Sequence, residues 1–209
     1  MAVARHTFAH ENETIMEIKQ KSMKEKAVTL FDRIEPRTVE ATIRKIVETN
    51  MEDEQYVMDG KQWARDNAVE GVSFPLFPIS LYLSTPGGNC YDGLALYDAI
   101  ESSKTPVEVI CSGKVMSMGI IVALASPVRK AYRNTTFMIH QVSGMNFGTL
   151  QDMKESVEES QRVNSLLFDI IQKKSKVTKE RLDEVAKQKE DWFFSAEEAL
   201  DMGIITEII

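Results

Sequence analysis

Short apolar segments alternate with stretches of helical periodicity through the middle of the chain. We predict strands at residues 79–83, 107–111 and 136–140, and helices at residues 93–102 and 118–125. Strands that alternate with helices favour an α/β fold with a mostly parallel sheet. The length of 209 residues suits a single domain that buries a substantial core.

The N-terminal side of this central region carries weaker signals. A short strand is predicted at residues 27–31, and Pro36 opens an amphipathic helix that extends to about residue 49. The Asp59-Gly60 pair marks a turn within residues 51–75. By default we interpret residues 51–75 as a solvated surface loop; the alternatives are a surface insertion and a partner site.

One long helix is predicted C-terminal to the centre, over residues 150–174. Its middle is polar, so one interpretation is a surface helix that packs at its ends. Further on, Ser195 and Glu198 fit a capping box, and Gly203 fits the position after a helix end. The apolar positions of the long helix include Met153, Val157, Val163, Leu166, Leu167, Ile170 and Ile171.

The segment Gly113-Lys-Val-Met-Ser-Met-Gly119 carries the strongest chemical signal. Ser117 stands between a predicted strand and a predicted helix, where free backbone N–H groups and the positive helix end favour a developing oxyanion. That is where a nucleophile would be placed. Serine is also a common helix cap, and the spacing matches known nucleophile elbows only loosely, so both roles stay open.

His140 is the histidine in the body of the chain, because His6 and His10 lie in the polar N-terminal segment. A Ser–His pair needs one histidine within hydrogen-bond reach of the hydroxyl. The alternative is a structural histidine at a strand end. The loop Ser84-Thr-Pro-Gly-Gly88 can aim an amide N–H at an oxyanion or pair with an extended peptide, or it is an ordinary Pro-Gly turn.

These segments, in this order, resemble the proteolytic subunit of the Clp protease. The resemblance extends from about residue 25 to the C-terminus, and its specificity comes from the agreement of separate segments in order and nearly in spacing. The segments are Ser-Thr-Pro-Gly-Gly (84–88), Gly-Leu-Ala-Leu-Tyr-Asp (93–98), Cys-x-Gly-x-x-x-Ser-Met-Gly (111–119), Met-Ile-His-Gln (138–141), and Phe-Ser-Ala-Glu-Glu-Ala (194–199) with Met-Gly-Ile-Ile (202–205).

The resemblance implies an α/β fold of the ClpP/crotonase type. This fold has repeated β-β-α units, a mostly parallel sheet and a projecting handle helix, here at about residues 142–175. The resemblance further implies a single protease domain over residues 21–209. Residues 1–20 would precede it as a mobile N-terminal segment, which in this family forms loops at an axial pore.

The resemblance also assigns roles to individual residues. Ser117 matches the nucleophile, His140 the general base, and Asp191 the acid that orients the imidazole. The backbone N–H groups of Gly88 and Met118 match the oxyanion hole. The residues expected to bind substrate are Gly88, Asn89, Cys90, Val142 and Ser143.

Partners follow from the same resemblance. It implies a cytoplasmic homo-oligomer, a heptameric ring that either stands alone or stacks on a second ring. An AAA+ unfoldase would feed unfolded polypeptides into it. The chain carries no G-x-x-x-x-G-K-[ST] motif, so ATP would be used by this partner and not by the chain itself. We expect no cofactor and no metal site in this chain.

Three departures from the family pattern bear on these implied roles. After His140-Gln141 the family usually has a proline and a double glycine, whereas residues 142–148 here contain two separate glycines, which still suit a flexible, substrate-facing edge strand. The segment between Ser117 and His140 is about two residues shorter than the family pattern, and a shorter loop is tolerable if the strand keeps its register. The Asp-Arg pair that precedes the acid in the family is replaced by Lys189 and Glu190. Both charge signs survive in reversed order, so we expect these two residues to form ion pairs between rings.

Composition excludes several other classes of protein. The net charge is −7 and there is no basic tract, which disfavours nucleic-acid binding. Cys90 and Cys111 are too few for a disulfide framework and lack metal-ligand spacing. No apolar run reaches the length of a membrane span, and we find no apolar signal segment at the N-terminus.

The sequence therefore predicts an ATP-dependent, Clp-type serine endopeptidase with three alternatives. The divergence also suits a virus-encoded relative, such as a head-maturation protease of the same fold. A catalytically inactive ring subunit would keep the fold without the reaction. An acyl-CoA enzyme of the crotonase fold would use a backbone oxyanion hole without a serine nucleophile. Within the protease interpretation, Lys114 or Lys130 could replace His140 as the base.

Overall fold

The computed structural model describes residues 26–145 and 147–209. The N-terminal segment 1–20, predicted to be mobile, lies outside the described residues, as do His6 and His10. The strands are β1 Lys26–Leu30, β2 Ile79–Thr85, β3 Val107–Met116, β4 Val128–Ala131, β5 Thr136–Ile139, β6 Trp192–Phe194 and β7 Glu207–Ile208. The helices are α1 Pro36–Asp66, α2 Cys90–Glu101, α3 Met118–Leu124, α4 Leu150–Lys174, α5 Lys179–Gln188 and α6 Ala196–Asp201.

The described strands form one sheet in the order β1-β2-β3-β4-β7, with β5 paired to β3 and β6 paired to β5. Each of these pairings is parallel except the antiparallel pair β5–β6. Parallel neighbours need long crossover connections, which the intervening helices supply. The predicted α/β fold with a mostly parallel sheet is therefore confirmed.

The core lies where helices cover the sheet. Ile79, Leu81 and Leu83 alternate along β2 and are completely buried, as the two-residue period of a strand requires. Every residue of α3 is buried as well. Because α3 is surrounded by the core on all sides, packing fixes the position of its first residue and of Ser117, which directly precedes it.

Strand β3 is longer than predicted and contains a bulge. Leu83 pairs with Cys111 whereas Thr85 pairs with Val115, so β3 has two more residues than β2 between these pairs. Gly113, with a φ of 62°, provides the left-handed conformation that such a bulge uses. The strand pairs with β4 before the bulge and with β5 after it. The predicted strand end at Cys111 is wrong, because the bulge carries β3 on toward the next strand.

The predicted loop at residues 51–75 is also wrong for most of its length. Helix α1 runs without a break over Pro36–Asp66, through the expected turn at Asp59-Gly60. Gly60 serves packing here, because a Cβ atom at this position would lie 2.3 Å from a ring carbon of Phe74. This long-range contact is invisible to a local turn signal, and tertiary packing overrides local propensity.

A buried ion pair fixes the middle of α1. The Lys26 ammonium donates to both carboxylate oxygens of Asp53 at 2.7 Å, and the Thr105 hydroxyl donates to the same carboxylate. Breaking a buried pair by removing one partner leaves an uncompensated charge and is strongly destabilising. The pair therefore ties α1 to β1 and to the segment before β3.

Helix α4 has the bounds that the sequence predicts. Its C-terminal half is packed against the core, whereas Leu150, Met153 and Val157 in its N-terminal half are exposed. The helix is thus anchored along one half only. The assignment of residues 142–175 as a handle stays a prediction. The buried residues of this helix are Val163, Leu167, Phe168 and Ile171.

The end of the chain follows its predicted capping pattern. The Ser195 hydroxyl accepts from the Glu198 N–H, and the Glu198 carboxylate accepts from the Ser195 N–H at 2.7 Å. Gly203 has a φ of 70° directly after Met202, the C-cap residue of α6. The predicted capping box and helix end are confirmed, so Ser195 acts as a cap. Within the described part of the chain, no helix combines the length and the apolar character needed to cross a membrane.

Candidate active site

Ser117 occupies a strained elbow between β3 and α3. Its φ of 53° and ψ of −122° are rare for a residue with a Cβ atom, and such a conformation costs about 1–3 kcal/mol. Its backbone N–H donates to the Met138 carbonyl of β5 at 2.8 Å. The residue stands at the cap position of α3, but its side chain makes no cap hydrogen bond. The interpretation of Ser117 as a simple helix cap is therefore wrong.

The Ser117 hydroxyl faces His140 instead. Ser117 Oγ lies 2.8 Å from His140 Nε2, which is a hydrogen-bond distance. His140 directly follows β5, and β5 is the strand that pairs with the end of β3. Parallel strands present their carboxyl ends at the same edge of the sheet, so the elbow and the imidazole meet there. This distance allows direct proton transfer between the two groups.

Asp191 contacts the other nitrogen of the imidazole. Its Oδ1 lies 3.3 Å from His140 Nδ1. Ile139 pairs with Trp192 in the antiparallel ladder, so the next pair in the same register is His140 with Asp191. A carboxylate that binds Nδ1–H leaves Nε2 as the proton acceptor. The Asp191 side chain is 60% exposed, so its orientation depends on the backbone segment that carries it.

Gly88 and Met118 line the same pocket as Ser117. Ile34 forms a parallel bridge to Gly88. The Ile34 N–H donates to the Gly87 carbonyl at 2.9 Å, and the Ile34 carbonyl accepts from the Asn89 N–H at 2.8 Å. Because these bonds use the neighbours of Gly88, the N–H of Gly88 itself points away from Ile34. Met118 is the first residue of α3, where helix N–H groups lack an intrahelical partner.

Gly87 brings the glycine loop against the elbow. A Cβ atom at Gly87 would lie 2.8 Å from both the Ser117 Cβ and the Met116 carbonyl oxygen. Its φ of 92° also favours glycine. The family pattern indicates Gly88 but assigns no role to Gly87, although the doubled glycine was the available signal. Both glycines permit close approach, one to the nucleophile and the other to Ile34.

A pocket of about 70 Å³ opens beside Ser117 and His140. It shares residues with a groove of about 440 Å³ that lies between residues 141–144 and the side of α4. Asn164 of α4 fixes this edge, because its Oδ1 accepts from the Val142 N–H at 2.9 Å. The pocket suits an apolar side chain and the groove an extended chain. The apolar lining residues are Met118, Ile121, Ile139, Val142, Leu167, Phe168 and Ile171.

The predicted substrate-binding residues separate into two groups. Asn89 caps α2, where its Oδ1 accepts from the N–H groups of Tyr91 and Asp92, and it does not line the pocket. Asn164 was not predicted, because its role rests on a tertiary contact with Val142 that no local pattern indicates. The predicted residues that do line the pocket are Gly88, Cys90, Val142 and Ser143.

The lysines and cysteines of the site region are poor alternatives. Lys130 pairs with Glu108 at 2.9 Å, Lys114 is exposed, and neither lysine lines the pocket. Burial raises the pKa of Cys111 to about 12 and also raises the pKa of Cys90. A thiol with a raised pKa carries little of the reactive thiolate. Ser117 and His140 are thus the candidate nucleophile and base that the described residues bring together.

Comparison with known proteins agrees with this geometry. Residues 75–209 match the family model described as Clp protease. The chain is 37% identical over 133 residues to the ATP-dependent Clp protease proteolytic subunit of Deinococcus radiodurans. That alignment covers 63% of this chain and 64% of the relative, which is less than two thirds of the relative's length.

A solved structure resembles the whole described fold. A point mutant of ClpP1 from Listeria monocytogenes superposes with a TM-score of 0.68. The superposition covers 92% of this chain and 95% of that chain, at 24% sequence identity. At this identity the likeness supports the fold, while the family model covers more than half of the sequence. The chain therefore belongs to the Clp protease family.

Proposed function

We propose that this chain is a serine endopeptidase that cleaves polypeptides at the pocket beside Ser117. The observation that carries the proposal is that the His140 imidazole contacts Ser117 with one nitrogen and Asp191 with the other. Ser117 Oγ lies 2.8 Å from His140 Nε2, and Asp191 Oδ1 lies 3.3 Å from His140 Nδ1. Membership of the Clp protease family supports the same reaction.

The proposed mechanism assigns one task to each group. Ser117 Oγ attacks the carbonyl carbon of the scissile peptide while His140 Nε2 takes its proton, and Asp191 stabilises the imidazolium. The N–H groups of Gly88 and Met118 hold the oxyanion of the tetrahedral intermediate. His140 then protonates the leaving amine. Water, activated by the same imidazole, hydrolyses the acyl-enzyme and restores the Ser117 hydroxyl.

The shape of the site supports an extended polypeptide as the substrate. The groove follows residues 141–144, directly beyond β5, and apolar side chains form part of the lining of the pocket beside Ser117. A main-chain edge recognises an extended peptide through hydrogen bonds, while a pocket selects one side chain. We therefore propose unfolded polypeptides, bound with an apolar residue in the pocket, as the substrate class.

Assembly and partners are proposed from the family. We propose a homo-oligomeric ring of seven subunits, single or stacked in pairs, in the cytoplasm. The relative from Deinococcus radiodurans is named ATP-dependent, and we propose that an AAA+ unfoldase supplies the ATP hydrolysis for this chain. The exposed Leu150, Met153 and Val157 of α4 provide an apolar surface that an assembled ring would cover.

Covalent labelling tests this proposal against its two rivals. A fluorophosphonate probe should modify Ser117 in the wild-type protein, because a serine activated by a histidine base attacks the phosphorus. A crotonase-fold acyl-CoA enzyme, or an inactive ring subunit, would not react at this residue. Peptide mapping that finds no adduct on Ser117 would reject the endopeptidase. Casein cleavage and native mass spectrometry of the same sample would report activity and ring size.

Gly88→Ala should lower kcat by about a hundredfold to a thousandfold, the cost of losing one oxyanion donor. The added Cβ would lie 2.1 Å from the Ile34 carbonyl oxygen, so the loop must move and take its N–H away from the site. Steady-state cleavage of a fluorogenic peptide measures the change. Gly71→Ala is the matched control, because it places an alanine at another positive φ, of 75°, where the Cβ meets no atom within 4 Å. Near-wild-type kcat in Gly88→Ala would remove Gly88 from the oxyanion hole.

A further inference from the structure

We propose that Arg181 is a positioning residue for Asp191 and acts through the two residues that flank it. The proposal rests on the proposed function, because it assigns a role within the same site. Asp191 is the middle member of the segment Glu190-Asp191-Trp192, and Arg181 contacts both outer members. Sequence analysis gave no role to Arg181.

The guanidinium of Arg181 contacts Glu190 with its edge and Trp192 with its face. Nη1 donates to Glu190 Oε2 at 3.0 Å and Nη2 donates to Glu190 Oε1 at 3.2 Å. Its central carbon lies 4.3 Å from the centroid of the Trp192 ring. Nη1 also donates to Glu184 within α5, at 3.2 Å. A planar guanidinium can bind a carboxylate with its edge and stack on an aromatic ring with its face.

The contacts of Arg181 with Glu190 and Trp192, here called the clamp, determine the face on which Asp191 lies. Glu190 and Asp191 directly precede β6, and their contacts alternate as in an extended chain: Glu190 and Trp192 contact Arg181, whereas Asp191 contacts His140. Arg181 holds the face that Glu190 and Trp192 share. The Asp191 carboxylate is thereby kept on the opposite face, which is where His140 lies.

Asp191 needs such support because little else surrounds it. Its side chain is 60% exposed, and its 3.3 Å distance to His140 exceeds the usual length of a charge-assisted hydrogen bond. The clamp itself is anchored on a packed helix, since Leu182 and Val185 of α5 are completely buried. Functional side chains that rigid elements support are held more accurately than those on free loops.

The same contacts change the interpretation of Glu190. The reversed charge order predicts that Lys189 and Glu190 form ion pairs between rings. In the structure the Glu190 carboxylate is engaged by Arg181 of its own chain. The reversed charge order therefore places Glu190 in an ion pair within its own subunit, whichever contacts an assembled ring adds.

Arg181→Met should lower kcat about tenfold to a hundredfold, the cost of displacing a catalytic group by about 1 Å, and should leave KM unchanged. Arg181→Lys should resemble Arg181→Met, because a point charge cannot span the carboxylate and the ring together. Arg133→Met is the matched control, since Arg133 forms an exposed ion pair with Glu197 and does not line the pocket. Peptide cleavage gives these parameters. Wild-type kcat in Arg181→Met, or a loss confined to KM, would overturn the proposal.

Combination with Asp191→Asn separates positioning from a general structural role. If Arg181 acts through Asp191, adding Arg181→Met to Asp191→Asn should cause no further loss of kcat. A further loss equal to that in the wild-type background would overturn the proposal.

Hydrogen–deuterium exchange supplies a measurement that does not depend on activity. In the Ser117→Ala background, Arg181→Met should speed exchange over residues 189–194 and leave β2 protected. Unchanged exchange in this segment would overturn the clamp. An absence of fluorophosphonate labelling in the wild type would instead reject the proposed function, while the exchange result would still test Arg181.

Discussion

Ser117→Ala is expected to abolish peptide cleavage and to leave the fold and assembly intact. The substitution removes the Oγ atom that lies 2.8 Å from His140 Nε2, and with it the group that attacks the substrate. Members of a catalytic triad act as a unit, so we expect kcat to fall by about four to six decades. A fluorogenic peptide assay measures the loss, and fluorophosphonate labelling should disappear with it.

The backbone of Ser117 makes this a clean experiment. The hydrogen bond from the Ser117 N–H to the Met138 carbonyl does not involve the side chain, and the buried helix α3 that follows keeps the elbow in place. Ser195→Ala is the control serine, because Ser195 caps α6 and contacts no base. Its loss should cost about 1 kcal/mol of unfolding free energy and no activity. Substantial hydrolysis by Ser117→Ala, beyond any contaminating protease, would disprove the proposed nucleophile.

Much of the fold was predictable because its signals are local. The alternation of buried and half-buried residues in β2 and the period of α4 belong to single elements that the sequence displays directly. The capping box at Ser195 is likewise formed by residues three positions apart. Such features need no knowledge of distant neighbours.

The errors have long-range causes. The bulge at Gly113 exists because β3 must leave β4 and join β5, and a single strand does not reveal this change of partner. Gly60 indicates a turn locally, but the Phe74 ring occupies the space beside it in a continuous helix. In both cases a glycine signalled special geometry, and the partner that needed it was far away in sequence.

The candidate site likewise contains residues that sequence patterns indicate and residues that only tertiary contacts reveal. Ser117 and His140 stand at element ends, where sequence patterns place chemistry, and the family resemblance supplied Asp191. Asn164 and Arg181 act on the site from α4 and α5 through the backbone segments that they hold. Their roles depend on tertiary contacts, so a sequence motif does not contain them.

Asp191→Asn is expected to lower kcat by about four decades, as tautomer loss does in other Ser-His-Asp triads. An asparagine amide can donate to His140 Nδ1, which moves the ring proton to Nε2. Nε2 then cannot accept the Ser117 proton, although the two atoms stay close. Peptide cleavage measures the loss, and the rate of fluorophosphonate labelling should fall in parallel.

Glu190→Gln is the control that locates the acid. Glu190 faces Arg181 and Asp191 faces His140, so only Asp191→Asn should disturb the tautomer. The neutral amide that replaces the Glu190 carboxylate weakens the clamp. We expect kcat to fall about tenfold, the lower end of what a displacement of about 1 Å costs. A larger loss in Glu190→Gln than in Asp191→Asn would mean that Glu190 is the acid facing His140. The register assigned to this segment would then be wrong by one residue.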